Sequence, residues 1–292
     1  MRNNDRLHQV ICIPLAFSLN LVAGCAEVQQ IAEDQARRSG NPNLAQAIHG
    51  GGTLISGLLP IGEEEEQSLG QSIALHVVAR SGGVYEQADL LRYVNLVGRA
   101  VAATSDRPNL NYHFAILNDQ TINAFATPGG YIFVTRGLLK QIKNEAELAA
   151  VLGHEIGHVS QKHMLEVIQR SKQIAGVSEA GLAYATRQPG QFKQLIDNAA
   201  KKLLDEGYDQ GKETEADKLG VIFAARVGYD ATAYLGLLNR LRGLKGDDRT
   251  LFKTHPNYSA RIDAVEAVVR EKGYVKTGTI LADRFSQNSS RL

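Results

Sequence analysis

Two cysteines are all that the 292 residues contain, Cys12 and Cys25, so no disulfide framework can staple the chain. An excess of charge of one sign is also missing. Thirty-two Lys and Arg face 31 Asp and Glu, for a net charge of +1. The basic residues form no stripe, which excludes a partner held through its phosphate backbone, and no nucleic acid is expected. Beyond the first 24 residues no apolar run approaches the roughly 20 residues of a membrane span. Internal repeats are absent. Tryptophan is lacking and methionine scarce, and neither decides anything. What remains is a chain 43% hydrophobic, long enough for one large domain or two small ones.

The N-terminus stands apart. Arg2 and Arg6 precede an apolar stretch from Val10 to Val22, broken by Ser18 and Asn20. Charged start and short apolar core are the pattern of an export signal. It ends in "LVAGC", residues 21–25, which resembles a bacterial lipobox with Cys25 as the lipidated first residue of the mature chain. Cys12 would leave with residues 1–24, so no free thiol would remain for an oxidising compartment. Stable anchoring takes more than one acyl chain on Cys25. Ala26 follows, not the aspartate of inner-membrane retention, which points to an outer membrane facing the periplasm. Residues 25–61, polar and then Gly-rich, read as a tether with some helix.

Further on, "EEEE" at 63–66 opens a helical pattern as a solvated, dipole-favoured start. Leu90, Leu91, Val94, Val97 and Val101 carry helical spacing over 86–104. Alternating Tyr112, Phe114 and Ile116 predict a strand over 111–117, "ATPGG" at 126–130 a turn, and "YIFVT" at 131–135 a second strand. Asn144 with Glu147 three residues on predicts a capped helix running through His163. Further helices are expected over 191–205, 212–227, 231–243 and 257–271, and a polar tail over 276–292, disordered over 285–292. The fold class is α+β, mainly helical.

Within the helix after Asn144 lies "GHEIGHV", residues 153–159. Residues four apart share a helical face, so the Nε2 atoms of His154 and His158 can reach one zinc ion. Glu155 is turned by about 100° from His154 and suits a general base acting on a water at the metal. Gly153 and Gly157 weaken the helix, which implies that another element approaches closely there. A catalytic zinc takes three protein ligands and keeps one position open. "GKETEAD" at 211–217 supplies the third: Glu213 and Asp217 share a face, whereas Glu215 points elsewhere. Glu213 is assigned to the metal, and Asp217 to the hydrogen bond that fixes a histidine tautomer.

Four segments together resemble the HtpX and CAAX-prenyl-protease type of gluzincin metallopeptidase, in its soluble periplasmic form: "NAFATPGGYIFVTRGLL" (123–139), "ELAAVLGHEIGHVSQKH" (147–163), "ETEADKLGVIFAARVGYD" (213–230) and "THPNYSARI" (254–262). The resemblance covers roughly residues 62–272. It implies a zincin-like domain over 62–275 with an active-site helix and a small sheet whose edge strand faces the cleft. It places Gly130, Tyr131, Ile132, Phe133 and Val134 on that edge, pairing with substrate backbone. His255 matches a histidine near the metal, open to two roles: steadying the oxyanion, or occupying the fourth metal position as a switch. Arg261 is expected to secure its loop. The remaining histidines, His163 among them, are read as structural or surface residues. The expectation is a zinc endopeptidase of unfolded or misassembled envelope proteins. The competing class is a zinc-bearing chaperone or assembly factor for outer-membrane proteins. No oligomer is specified.

Overall fold

The computed structural model describes residues 61–174, 189–244, 254–255, 257–274, 278–290 and 292. The expected export signal, Cys25 and most of the expected tether lie outside the described residues. Among those described, no helix is long and apolar enough to cross a membrane.

Among the described residues, ten helices and three strands follow one another in the order α1 (Glu63–Arg80), α2 (Ala88–Ala102), β1 (His113–Leu117), β2 (Ala124–Thr127), a 3-10 turn (Pro128–Gly130), β3 (Tyr131–Thr135), α3 (Arg136–Leu139), α4 (Glu145–Ser160), α5 (His163–Ile174), α6 (Pro189–Lys201), a π-helical turn (Lys202–Glu206), α7 (Gln210–Val227), α8 (Ala233–Gly243), α9 (Tyr258–Glu271) and α10 (Ala282–Ser289). Among the described residues, the helices expected over 86–104, 191–205, 212–227, 231–243 and 257–271 form, with ends moved by a few residues.

The sheet order is β1-β3-β2. β1 runs parallel to β3, with His113 opposite Tyr131 and Leu117 opposite Thr135. β2 runs antiparallel to it, with Ala124 opposite Val134 and Thr127 opposite Tyr131. This corrects the expectation that residues 130–134 form an exposed edge. Both backbone edges of β3 are already paired, so no extended peptide can add along Tyr131, Ile132, Phe133 and Val134. Gly130, just before the strand, has φ +88 in the turn from β2.

The period of two along the strands separates two apolar cores. Phe114, Ile116, Ala124, Ala126, Ile132 and Val134 face a large core shared by α2, α4, α7, α8 and α9. Leu117, Phe125 and Phe133 face a smaller one with α1, α5 and α6. Buried on both faces, the sheet acts as a fixed floor beneath α4.

Three local readings change. Glu66, at the end of the acidic run, is buried and not solvated: both its oxygens accept from Arg107, at 2.7 and 2.9 Å. Residues 282–289 of the expected tail form α10, which docks Phe285 into the large core. Its Arg284 pairs with Glu145 at the first residue of α4. Finally, α4 stops at Ser160, short of His163. Lys162 takes a left-handed conformation, φ +57, and α5 starts afresh.

Candidate metal centre

Helix α4 begins as the sequence predicts, with the Asn144 side chain accepting from Glu147 N at 2.9 Å. It packs most extensively on α7, and glycine makes that approach possible. A Cβ on Gly153 would stand 2.7 Å from the Gly220 carbonyl oxygen, and one on Gly220 would stand 2.6 Å from His154 N. Gly157 lies against Ala216 in the same way. The close approach inferred from Gly153 and Gly157 is therefore α7, and it sets Glu213 and Asp217 opposite the histidines.

His154, His158, Glu213 and His255 bring one ligating atom each within 4.8 Å of one another, all four side chains buried. The two Nε2 atoms stand 3.0 Å apart. Glu213 Oε1 is 3.5 Å from His158 Nε2, and Oε2 is 3.6 Å from His154 Nε2. A tetrahedral ion with bonds of about 2.0–2.1 Å holds its donors roughly 3.3 Å apart, which this set matches. Glu213 Oε1 is buried and has no hydrogen-bond partner. An orphaned carboxylate oxygen buried beside an imidazole nitrogen is costly unless a cation neutralises it, so these residues fit a metal ion.

Asp217 sits where expected, its Oδ1 2.8 Å from His154 Nδ1. Arg261 grips that carboxylate with Nε and Nη2, both at 2.7 Å, and Tyr234 OH adds a bond at 3.0 Å. Burial opposes its charge, but Arg261 and His154 more than offset that and hold the Asp217 carboxyl well below the usual range. Arg261 also reaches the His255 carbonyl, at 3.4 Å, as the loop-securing role requires.

Glu155 is buried and is not among the four residues whose ligating atoms converge. Burial pushes its carboxyl up, against the pull of His154 and His255. It lines a cavity of about 20 Å³ with His154, Ala124 and His255 over an apolar floor of Leu138 and Leu237. That volume suits about one water.

His255 turns Nδ1 to Glu213 Oε2 at 2.8 Å and Nε2 to the Ala124 carbonyl at 3.1 Å. Both partners are acceptors, so the ring presents two N–H donors. Burial works against the imidazolium, but the Glu213 charge outweighs it and raises the pKa. The strand edge that meets the centre is thus the outer edge of β2, at Ala124.

The sequence reading passed over His163, Glu215, Tyr208 and Tyr234. His163 is buried, with its Nδ1 2.8 Å from His158 Nδ1. Tyr208 stacks on His158 at 4.5 Å between centroids. Only the placing of His163 and Glu215 inside the two motif segments hinted at a role.

Comparison with known proteins agrees with this geometry. The family described as "Peptidase family M48" matches residues 90–269. Over 198 residues the chain is 29% identical to the beta-barrel assembly-enhancing protease of Yersinia pestis, covering 65% of this chain and 40% of that one. It is 32% identical over 178 residues to the mitochondrial metalloendopeptidase OMA1 of Schizosaccharomyces pombe, covering 60% and 51%. It is 26% identical over 166 residues to the metalloprotease YcaL of Escherichia coli, covering 56% and 64%. The matched stretch thus spans well under two thirds of the first of these relatives.

Proposed function

The chain belongs to peptidase family M48, and from that premise we propose that it is a zinc-dependent endopeptidase acting on unfolded or misassembled proteins of the cell envelope. One observation carries the reading: the ligating atoms of His154, His158 and Glu213 come together, with Glu213 Oε1 left partnerless 3.5 Å from His158 Nε2 and Glu155 lining the cavity next to His154.

His154, His158 and Glu213 would hold the ion. Zinc there supplies Lewis-acid polarisation of a peptide carbonyl and makes water a nucleophile at neutral pH. The remaining work falls to the chain. Glu155, its carboxyl pushed up by burial, accepts the proton of the attacking water and returns it to the leaving amine. Asp217 accepts a hydrogen bond from His154 Nδ1–H, leaving the Nε2 lone pair for the ion. Arg261 fixes Asp217 and the His255 loop together. His255 Nε2–H, bonded to the Ala124 carbonyl here, is the donor that turns to the carbonyl oxygen as it becomes an anion.

The envelope part of the reading is supported by "LVAGC" at 21–25, with Cys25 as the acyl-bearing residue and an outer membrane facing the periplasm as the site. It is also supported by the names of the bacterial relatives. Acyl chains on a Cys25→Ser variant would sink the lipid anchor.

A second reading, binding without cleavage as a chaperone or assembly factor, draws on the closed state of the centre. The cavity beside Glu155 is small and His255 occupies the Ala124 carbonyl. Casein cleavage by zinc-loaded wild type and Glu155→Gln separates the readings. The peptidase predicts cleavage by wild type and about 100-fold or more loss in the variant. Cleavage by neither, with cellular function kept in Glu155→Gln, selects the binding protein.

A further inference from the structure

The two histidines of the centre are oriented by different means. His154 donates its Nδ1–H directly to a carboxylate, Asp217, at 2.8 Å. His158 has no carboxylate at the equivalent nitrogen. Its Nδ1 faces the Nδ1 of His163, also at 2.8 Å. On the far side of that ring, His163 Nε2 stands 3.2 Å from Glu215 Oε2.

We propose that His163 and Glu215 are positioning residues that orient His158 toward the metal through a His–His–carboxylate relay. The proposal rests on the metal-site reading above. The proton order follows from the geometry. His158 Nε2 points at His154 and Glu213, so the ligating lone pair is there and its proton is on Nδ1. Two Nδ1 atoms at hydrogen-bond distance need one donor and one acceptor, so His163 Nδ1 accepts. The His163 proton is then on Nε2, where only an acceptor fits, and Glu215 supplies one. Each tautomer in the chain is set by the next group.

The backbone is shaped for this contact. In an unbroken helix residue 163 would lie about 140° around from His158 and face another neighbour. The stop at Ser160, the left-handed Lys162 and the new start at His163 swing the imidazole under His158. Tyr208 stacks on the His158 face at 4.5 Å, fixing the ring plane while His163 fixes its rotation. The Glu215 side chain is about half exposed, so its removal leaves no cavity in the core.

The test is zinc affinity of the full chain, by competition with a chelator, paired with the visible spectrum of the cobalt-loaded protein and the melting temperature without metal. His163→Leu is expected to weaken zinc binding about 10- to 100-fold, the usual effect of losing a partner behind a ligand. His163→Asn, which keeps an acceptor near the Nδ1 position, should recover most of that. Glu215→Ala should weaken binding several-fold and shift the cobalt bands with an unchanged metal-free melt, and should add nothing in the His163→Leu background. Unchanged affinity and spectrum in Glu215→Ala and His163→Leu, with wild type binding one zinc, would overturn the relay and leave the metal site standing. Failure of wild type to bind zinc would overturn both.

Discussion

Glu213 gives one carboxylate oxygen to His255, 2.8 Å from its Nδ1, and keeps the other buried without a partner. The neighbouring carboxylate on the same helix, Glu215, is turned outward to His163. Glu213→Gln should therefore cut zinc content sharply, since it replaces one of three ligands by a neutral, weaker one. Glu215→Gln keeps an acceptor for His163 and should retain nearly full zinc content. Metal analysis after dialysis checks both, and equal losses would reject Glu213 as the third ligand.

His255 presents donors from both nitrogens, because a carboxylate and a carbonyl face it. A metal ligand needs a lone pair, so the arrangement favours an oxyanion donor over a blocking ligand. His255→Ala should lower casein cleavage about 10²- to 10³-fold while keeping zinc, as loss of an oxyanion donor does elsewhere. A faster variant would instead assign His255 to the block.

Much of this centre is legible in local spacing. His154, His158 and Glu155 come from one helical repeat, and Glu213 and Asp217 from another. What escaped depends on partners far along the chain. β2 hides because all four of its residues are buried, which erases alternation. The central place of β3 follows from its parallel pairing with β1, and no strand's own pattern encodes its neighbours. Lys162 carries no breaker signal, so nothing local marks the break before His163. Glu66 looks like its acidic neighbours until Arg107 arrives from 41 residues away.

The α4–α7 contact yields a prediction with an internal control. Gly153→Ala gains about 1 kcal/mol in helix propensity. Its Cβ, however, would lie 2.7 Å from the Gly220 carbonyl, and overpacking of this kind costs roughly 1–3 kcal/mol. The variant should melt lower than wild type and bind zinc more weakly, because the helices bearing the ligands must part. On exposed Gly236 of α8 a Cβ would meet nothing closer than 3.5 Å, so Gly236→Ala should melt higher. Thermal melts of the two variants decide it, and a rise in both would show that the glycine contact tolerates a methyl group.

Glu145 gives a pH prediction independent of the metal. It opens α4, is buried, and accepts from Tyr93 at 2.8 Å, from Tyr229 and from Arg284 of α10. Burial raises the pKa of its carboxyl, but the bonds from Arg284, Tyr229 and Tyr93 outweigh that and the net shift is downward. A carboxyl depressed in the folded state stabilises it fully above the ordinary glutamate value, about 4.3, and loses that contribution as pH falls through the folded value. Glu145→Gln should thus be destabilised at neutral pH by roughly 1.5–3 kcal/mol, the range for hydrogen bonds to a charged group. Below about pH 4.3 the wild type should converge on the variant. Melts of both proteins in chelator from neutral to acid pH test this without interference from the zinc ligands. Curves that stay parallel throughout would mean that the clamp between α4 and α10 works without the Glu145 charge.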